Sequence, residues 1–281
     1  MKAPVFAYAK PASLAEVFDC LDGGEGVRLL AGGQSLIPSL NMRLSAPTVL
    51  VDINHVSALR GISEAGGVVR IGAMTRHHEL ATSALIASLL PLIAKAVPHI
   101  AHQAIRNRGT IGGSLALADP STELPACCLA LDATIIAANR KGERRIAARD
   151  FFLGIYETAL APDDILIAVE FPLPGEDAIC GFDELARRHG DYAIVGLAAQ
   201  GVRKGQTWSS LKLTFFGAGD RPLLAEAAAQ AVVFGKGIGA AQAALEDALS
   251  PSDDGECSAK TKMHLARVLL GRVVETMESG T

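Results

Sequence analysis

Two short segments, Ala31-Gly32-Gly33-Gln34-Ser35-Leu36 and Thr110-Ile111-Gly112-Gly113-Ser114-Leu115, constrain this chain more than any other feature of it. Each sets two adjacent glycines ahead of a serine. The first lies between an apparent buried strand, Arg28 to Ala31, and an apparent helix, Ser35 to Arg43. Adjacent glycines admit positive φ and remove the Cβ atoms that would hold a ligand off the backbone. Successive N–H groups can then turn inward around an anion, and a helix starting just beyond adds its partial positive charge. A single Gly-Gly is as a rule only a turn. Two from distant parts of the chain would clamp a pyrophosphate from both sides, with the Ser35 and Ser114 hydroxyls as further donors. Neither segment reads GxGxxG or GxxxxGK[ST], so a nucleotide bound here implies neither a Rossmann fold nor a P-loop.

The surrounding pattern is α+β. Ser13 with Glu16 three residues on forms a capping box for a helix whose apolar face is Leu14, Val17, Phe18 and Leu21. Strands are expected at Val49–Ile53, Val68–Ile71 and Ile165–Phe171, and a hairpin at Ala133–Ala138 and Arg144–Ala148 around Lys141-Gly142. Helices are expected at Leu80–Ala87, Leu90–Ala96 and Glu123–Leu131, with a polar, glycine-rich stretch from His102 to Pro120 between them. Pro172-Leu173-Pro174-Gly175-Glu176-Asp177 reads as a linker, since proline cannot continue a ladder. Beyond it come three strand-like runs (Ile179–Arg187, Ala193–Arg203, Leu211–Phe216) and then helical runs (Leu223–Val233, Ala240–Leu249, Ala259–Met277). Strands grouped before helices point to an α+β unit with a three-stranded antiparallel sheet rather than a parallel βαβ array.

Composition narrows the function classes. A chain of 281 residues, 49% hydrophobic and 20% charged, buries a sizeable core. Its net charge of −4 and scattered basic residues give no stripe for nucleic acid. No apolar run reaches the ~20 residues of a membrane helix, and MKAPVFAYAKPAS lacks a signal-peptide shape. A cytoplasmic location is expected. The five cysteines (Cys20, Cys127, Cys128, Cys180, Cys257) have no CxxC spacing, so they read as small apolar side chains rather than metal or cluster ligands.

At this point a family resemblance enters. AGGQSLIPSLNMRLSAPTVLVDI (31–53) and IRNRGTIGGSLALADPSTELP (105–125) resemble the two FAD signatures of the medium, flavoprotein subunits of molybdenum hydroxylases, including carbon monoxide dehydrogenase and the FAD domain of xanthine dehydrogenase. RRHGDYAIVG (187–196) and the tail from Arg221 to Val274 are similar to further family segments, so the resemblance spans nearly the whole chain. It implies an FAD-binding domain of the vanillyl-alcohol oxidase type over residues 1–174, in two α+β subdomains of about 1–55 and 56–174, followed by a C-terminal α+β domain over 178–281. By motif, Gly32, Gly33, Gln34, Ser35 and Leu36 would meet the FAD phosphates and neighbouring atoms, with Thr110, Gly112, Gly113 and Ser114 as the second turn. Asp119 and Glu123 would lie near ribityl and ribose hydroxyls, Tyr192 beside the isoalloxazine ring, and His102 at the edge of the site. The family implies an electron-transfer subunit. A small subunit with two 2Fe-2S clusters would deliver electrons from a large molybdenum–pterin subunit, and FAD would pass them to an external acceptor. The assembly would be a heterotrimer, able to pair into a dimer of trimers. Two departures stand out. Leu117 occupies a position where many relatives carry histidine or threonine, and Thr261-Lys262 replaces a tyrosine–arginine pair.

Other candidates weigh less. His77-His78-Glu79 is a poor metal site because adjacent helical residues do not face each other. His99 and His102 read as a local polar network. Ser35 lacks a paired base in sequence. Arg106 and Arg108 suit either a cofactor charge or surface pairing, and Asp253-Asp254-Glu256 a solvated loop. No catalytic residue and no metal ligand is assigned to this chain. Two other readings stand beside the leading one: a self-sufficient flavin oxidase or reductase of the same fold, and a non-catalytic scaffold using the glycine turns for another anion.

Overall fold

The computed structural model describes residues 2–280. The first stretch forms a small parallel sheet: β1 (Ala7–Ala9), helix α1 (Leu14–Leu21), β2 (Val27–Leu30), helix α2 (Leu36–Asn41) and β3 (Val49–Asp52), in the order β1-β3-β2. Helix α1 starts as its capping residues dictate. Ser13 Oγ accepts from the Glu16 N–H at 3.3 Å, while the Glu16 carboxylate accepts from the Ala12 N–H at 2.9 Å. Strand β1 carries no sequence signal, because its three residues leave two side chains exposed and make no apolar run.

A five-stranded antiparallel sheet follows, in the order β4-β5-β10-β6-β7. Strands β4 (Ile62–Ala65) and β5 (Val68–Gly72) form a hairpin whose two turn glycines, Gly66 and Gly67, both have positive φ. The helical stretch comes next: α3 (His77–Thr82), α4 (Ala84–Leu89), α5 (Pro91–Ala96), α6 (Gln103–Arg106), α7 (Ile111–Leu117) and α8 (Glu123–Ala130). The single helix expected over 80–87 is two, because Ser83 leaves the helical region and caps the second, accepting from the Ile86 N–H at 3.3 Å. The stretch expected to be polar and irregular holds α6 and α7. Strands β6 (Thr134–Asn139), β7 (Gly142–Ala147) and β10 (Ile165–Pro172) complete the sheet, and a short hairpin, β8 (Phe152–Gly154) with β9 (Glu157–Thr158), stands off it. Strands β6 and β10 are buried on both faces. Ile135, Ala137, Val169 and Phe171 pack into one core with α3 to α5, α7 and α8, while Ile136, Ala138, Ile165 and Ile167 meet α1 and β3 on the other side.

After the Pro172–Asp177 run, β11 (Ala178–Leu185), β12 (Val195–Lys204), β13 (Thr207–Phe216) and β14 (Leu223–Leu224) form an antiparallel sheet. The expected three-stranded sheet therefore has a fourth, two-residue strand. Leu223 and Leu224 pair with Phe215 and Thr214 where a helix was expected, and the helix begins at Glu226. One face of this sheet, with Leu197, Ala199, Leu213 and Phe215, packs on the helices Glu226–Val233 and Ala259–Ser279. The other face sends Phe182, Ala198 and Phe216 into the core that α5 and α8 share with the five-stranded sheet. Pro172–Asp177 thus joins two sheets whose hydrophobic cores meet. Among the described residues no helix is long and apolar enough to cross a membrane.

Gly196 lies at this junction. A Cβ there would stand 2.0 Å from Phe216 Cζ, so the fully buried ring takes the space a side chain would need. Gly196→Ala is expected to destabilise the chain by about 2 kcal/mol or more through overpacking. Urea denaturation followed by tryptophan fluorescence checks this, and an unchanged midpoint would contradict the packing described.

Candidate functional site

The two glycine segments touch. A Cβ on Gly32 would lie 2.4 Å from the carbonyl oxygen of Arg108 and 2.8 Å from Gly109 Cα, so the backbones meet at a distance only glycine permits. Side chains tie the seam. Asn54 Nδ2 donates to the Ala31 carbonyl at 2.8 Å, and the Arg76 guanidinium donates both to Asn54 Oδ1 and to the Arg108 carbonyl. The 76–112 region is knitted further by backbone bonds from His77 N to Gly109 O at 3.0 Å and from Gly112 N to Ala73 O at 2.8 Å. Gly33 has φ of +73° and delivers the chain into α2, whose N-cap is the exposed Ser35.

The second segment differs from the expected glycine turn. Gly112 and Gly113 are helical and lie in the first turn of α7; of the two glycine pairs, only Gly33 has positive φ. Their lack of a side chain serves packing. A Cβ on Gly112 would stand 2.6 Å from Ala73 Cβ, and one on Gly113 2.9 Å from Thr110 Oγ1. Thr110 is buried and caps the helix, accepting from the Gly113 N–H at 3.1 Å. The first turn of α2 leaves backbone N–H groups without intrahelical acceptors, whereas at α7 the N–H groups of Ile111, Gly112, Gly113 and Ser114 are taken by Thr75 O, Ala73 O, Thr110 Oγ1 and Thr110 O. Ser114 Oγ lies 3.2 Å from His77 Nε2.

Helix α7 runs from this seam to a second cluster. Its seven residues span about 10 Å at ~1.5 Å per residue. It ends at Leu117, half-buried, and Ala118, whose left-handed φ of +53° stops it. Asp119 follows, buried, with its carboxylate accepting from the Ser121 N–H at 3.0 Å and from the Tyr156 hydroxyl at 3.3 Å. Glu123, at the start of α8, is 5% exposed. Burial, then the nearby Glu184 and Asp119 carboxylates, pushes its carboxyl up to about 8, so it is protonated at neutral pH. Tyr192 exposes 60% of its surface, and burial of its hydroxyl end with the charges of Asp119 and Glu123 raises its pKa. Tyr156 is equally exposed, sits at φ of +56° and raises Tyr192 further, so the two rings border the same acidic pocket. Tyr156 carried no signal in the sequence beyond being one of few tyrosines; the β8–β9 hairpin that presents it is too short to predict.

The remaining candidates sort out plainly. His102 stands apart from the seam, exposed in a cleft with Arg188, His189, Gly190 and Asp191, beside the loop that carries Tyr192. His99 does not pair with His102; its Nδ1 lies 3.4 Å from Glu184 Oε1. His77 and His78 diverge, the first to Ser114 and the second to Gln103 Nε2 at 3.0 Å. Arg106 serves its own loop, donating to the Pro98, Ile100 and Ala101 carbonyls. The acidic run near the C-terminus is built rather than merely solvated. Asp254 pairs with the buried Lys262 at 2.6 Å and is held down at about 2, Asp253 accepts from the Ala259 N–H, and Glu256 pairs with Arg187. Lys262 thus has its own partner.

Comparison with known proteins agrees along the whole chain. Residues 4–174 match the family described as "FAD binding domain in molybdopterin dehydrogenase", and residues 181–277 match the "CO dehydrogenase flavoprotein C-terminal domain". The chain is 38% identical to the 6-hydroxypseudooxynicotine dehydrogenase complex subunit alpha of Paenarthrobacter nicotinovorans, covering 98% of this chain and 95% of that one. It is 36% identical to the carbon monoxide dehydrogenase medium chain of Afipia carboxidovorans, over 96% of each. Among solved structures, quinoline 2-oxidoreductase from Pseudomonas putida 86 superposes with a TM-score of 0.95 at 37% identity, covering 100% of this chain and 99% of the other. The chain therefore belongs to the FAD-binding, medium-subunit family of the molybdenum hydroxylases.

Proposed function

We propose that this chain is the flavin-carrying electron-transfer subunit of a molybdenum hydroxylase, with an FAD-binding part over residues 1–174 and a C-terminal part over 178–281. The observation that carries the site is the contact between the two glycine segments at one end of α7, with a buried acidic pair at the other. At the seam, the backbone N–H groups of Gly33, Gln34, Ser35 and Leu36 suit the oxygens of a pyrophosphate, and the start of α7 adds its partial positive charge and the Ser114 hydroxyl, its own first N–H groups being bonded within the chain. Asp119 accepts hydrogen bonds from sugar hydroxyls, and Glu123, neutral at pH 7, both donates and accepts. Tyr192, with Tyr156, offers ring surface and a polar tip to a flat heterocycle. Leu117 supplies only apolar contact there, and His102 stands at the margin. The chain's residues thus fit FAD, which when bound supplies one- and two-electron redox chemistry.

The rest of the circuit lies on other chains in this reading. Cys127 and Cys128 are fully buried, and burial pushes both thiols well up, which makes them poor cluster ligands. The relatives are named as subunits of complexes, which supports a small subunit with two 2Fe-2S clusters and a large molybdenum–pterin subunit as partners. Electrons would reach FAD from the clusters and leave to an external acceptor, in a cytoplasmic heterotrimer. Co-expression with the neighbouring genes, followed by metal analysis and visible absorbance, tests this. A yellow complex containing iron and molybdenum is expected, and a colourless chain eluting alone, with no affinity for FAD, would overturn it.

Two substitutions probe the site. Gly32→Ala forces a methyl into the Arg108 carbonyl and should weaken FAD binding at least tenfold, whereas Gly175→Ala, with nothing within 4 Å, should leave it unchanged. Fluorescence titration of the FAD-stripped chain reads both, and equal affinities would refute the seam as the binding point. Glu123 gives a pH signature. Its folded pKa of about 8 lies above the ordinary 4.5, so stability present below pH 4.5 is lost as pH rises through 8. At pH 7 the cost is about 3 kcal/mol, an order-of-magnitude figure from ~1.4 kcal/mol per pH unit. Glu123→Gln should therefore stabilise the FAD-free chain near neutral pH and leave it unchanged near pH 4. A melting temperature shifted equally at both pH values would contradict the assignment.

A further inference from the structure

His77 has no role among the cofactor contacts drawn above, yet it is the buried side chain on which Ser114 rests. It opens α3 and is 4% exposed. Its Nε2 lies 3.2 Å from Ser114 Oγ, and its Nδ1 is buried without a hydrogen-bond partner. The Nδ1 edge is seated on Gly109. A Cβ at that position would fall 2.8 Å from Nδ1 and 2.9 Å from Cε1, which accounts for the glycine. Burial, with Arg106 and Arg76 nearby, holds the imidazole down at about 4, so the ring is neutral and carries a single N–H.

The position of that proton decides what Ser114 can do. On Nδ1 it would be a buried donor facing the Gly109 backbone carbon. The Thr110 carbonyl acts on the ring, favouring a proton there, but Nδ1 has no hydrogen-bond partner. Orphaned buried N–H groups are rarer than under-used acceptors. On Nε2 the proton has an acceptor in Ser114 Oγ, and the orphan becomes a bare lone pair. The serine is then an acceptor toward His77, and its own O–H is free to turn outward. A helical serine would otherwise spend that proton on the carbonyl four residues back.

We propose that His77 is a positioning residue of the cofactor site: its Nε2–H donates to Ser114 Oγ, so that the Ser114 hydroxyl proton is presented to an anionic oxygen of the bound cofactor. This rests on the FAD reading above. The opposite tautomer would turn a serine lone pair toward the anion and repel it, so the imidazole sets the sign of the contact as well as its direction.

The test uses the full chain in its complex, stripped of FAD and titrated with it. Ser114→Ala and His77→Phe should each weaken FAD binding about tenfold, and the double variant no further than either alone. His77→Gln, whose amide N–H can replace Nε2–H, should recover most of the affinity. Imidazole nitrogen NMR of the wild-type chain should report the Nε2-protonated tautomer, a readout that needs no variant to fold. An Nδ1-protonated ring, additive losses in the double variant, or wild-type affinity in His77→Phe would each overturn the proposal. Undiminished FAD binding in both Ser114→Ala and Gly32→Ala would instead show that the site reading itself has failed.

Discussion

The approach of Gly32 to the Arg108–Gly109 backbone is the contact on which the rest of the site depends. Two segments that follow strands of different sheets come together here only because their backbones stand closer than side chains allow. The chain meets that condition with glycine on each side. It then holds the geometry with polar side chains that reach across, Arg76 to Asn54 and Arg108, and Asn54 to Ala31. Each bond is modest alone. Together they fix a seam whose outer surface carries unsatisfied donors, and such donors favour a ligand that supplies oxygens.

The far end of α7 has the complementary character. Glu123 is buried because α8 lies between the five-stranded sheet and the C-terminal sheet, so the core that joins the two parts of the chain also dehydrates this carboxyl. Desolvation outweighs everything else acting on it, and the two other acids, Glu184 and Asp119, add to the effect rather than oppose it. The same α7 that starts at the seam therefore ends beside a neutral carboxyl, an aspartate and two exposed tyrosines. One seven-residue helix thus joins the glycine seam to an acidic and aromatic cluster.

Much of this was legible in the sequence, and what was not has physical reasons. The capping box of α1, the central strands β6 and β10 and the C-terminal helix follow from apolar period and cap chemistry alone. The glycine pairs were legible as special but not in kind. Sequence cannot distinguish a glycine needed for positive φ, such as Gly33, from one needed because Ala73 occupies the space, such as Gly112; that depends on a partner elsewhere in the chain. Strands β1 and β14, of three and two residues, leave no period to read. A serine within an apolar run, such as Ser83, signals a cap only when the backbone turns there. Tyr156 and His77 were missed for a related reason. Each acts by a contact across more than thirty residues, Tyr156 to Asp119 and His77 to Ser114, and nothing local marks it.

His77 also shows how a buried polar group serves a surface one. Its imidazole is costly to bury and leaves a nitrogen unpartnered. An apolar ring against Gly109 would avoid that cost. The arrangement makes physical sense once Ser114 needs a neighbour that donates to it. Burial supplies the rest, because a ring held neutral far below its ordinary pKa keeps one proton, and the packing around Gly109 leaves that proton a single good place to be. Desolvation, usually a penalty, here fixes the direction of a hydrogen bond at the seam.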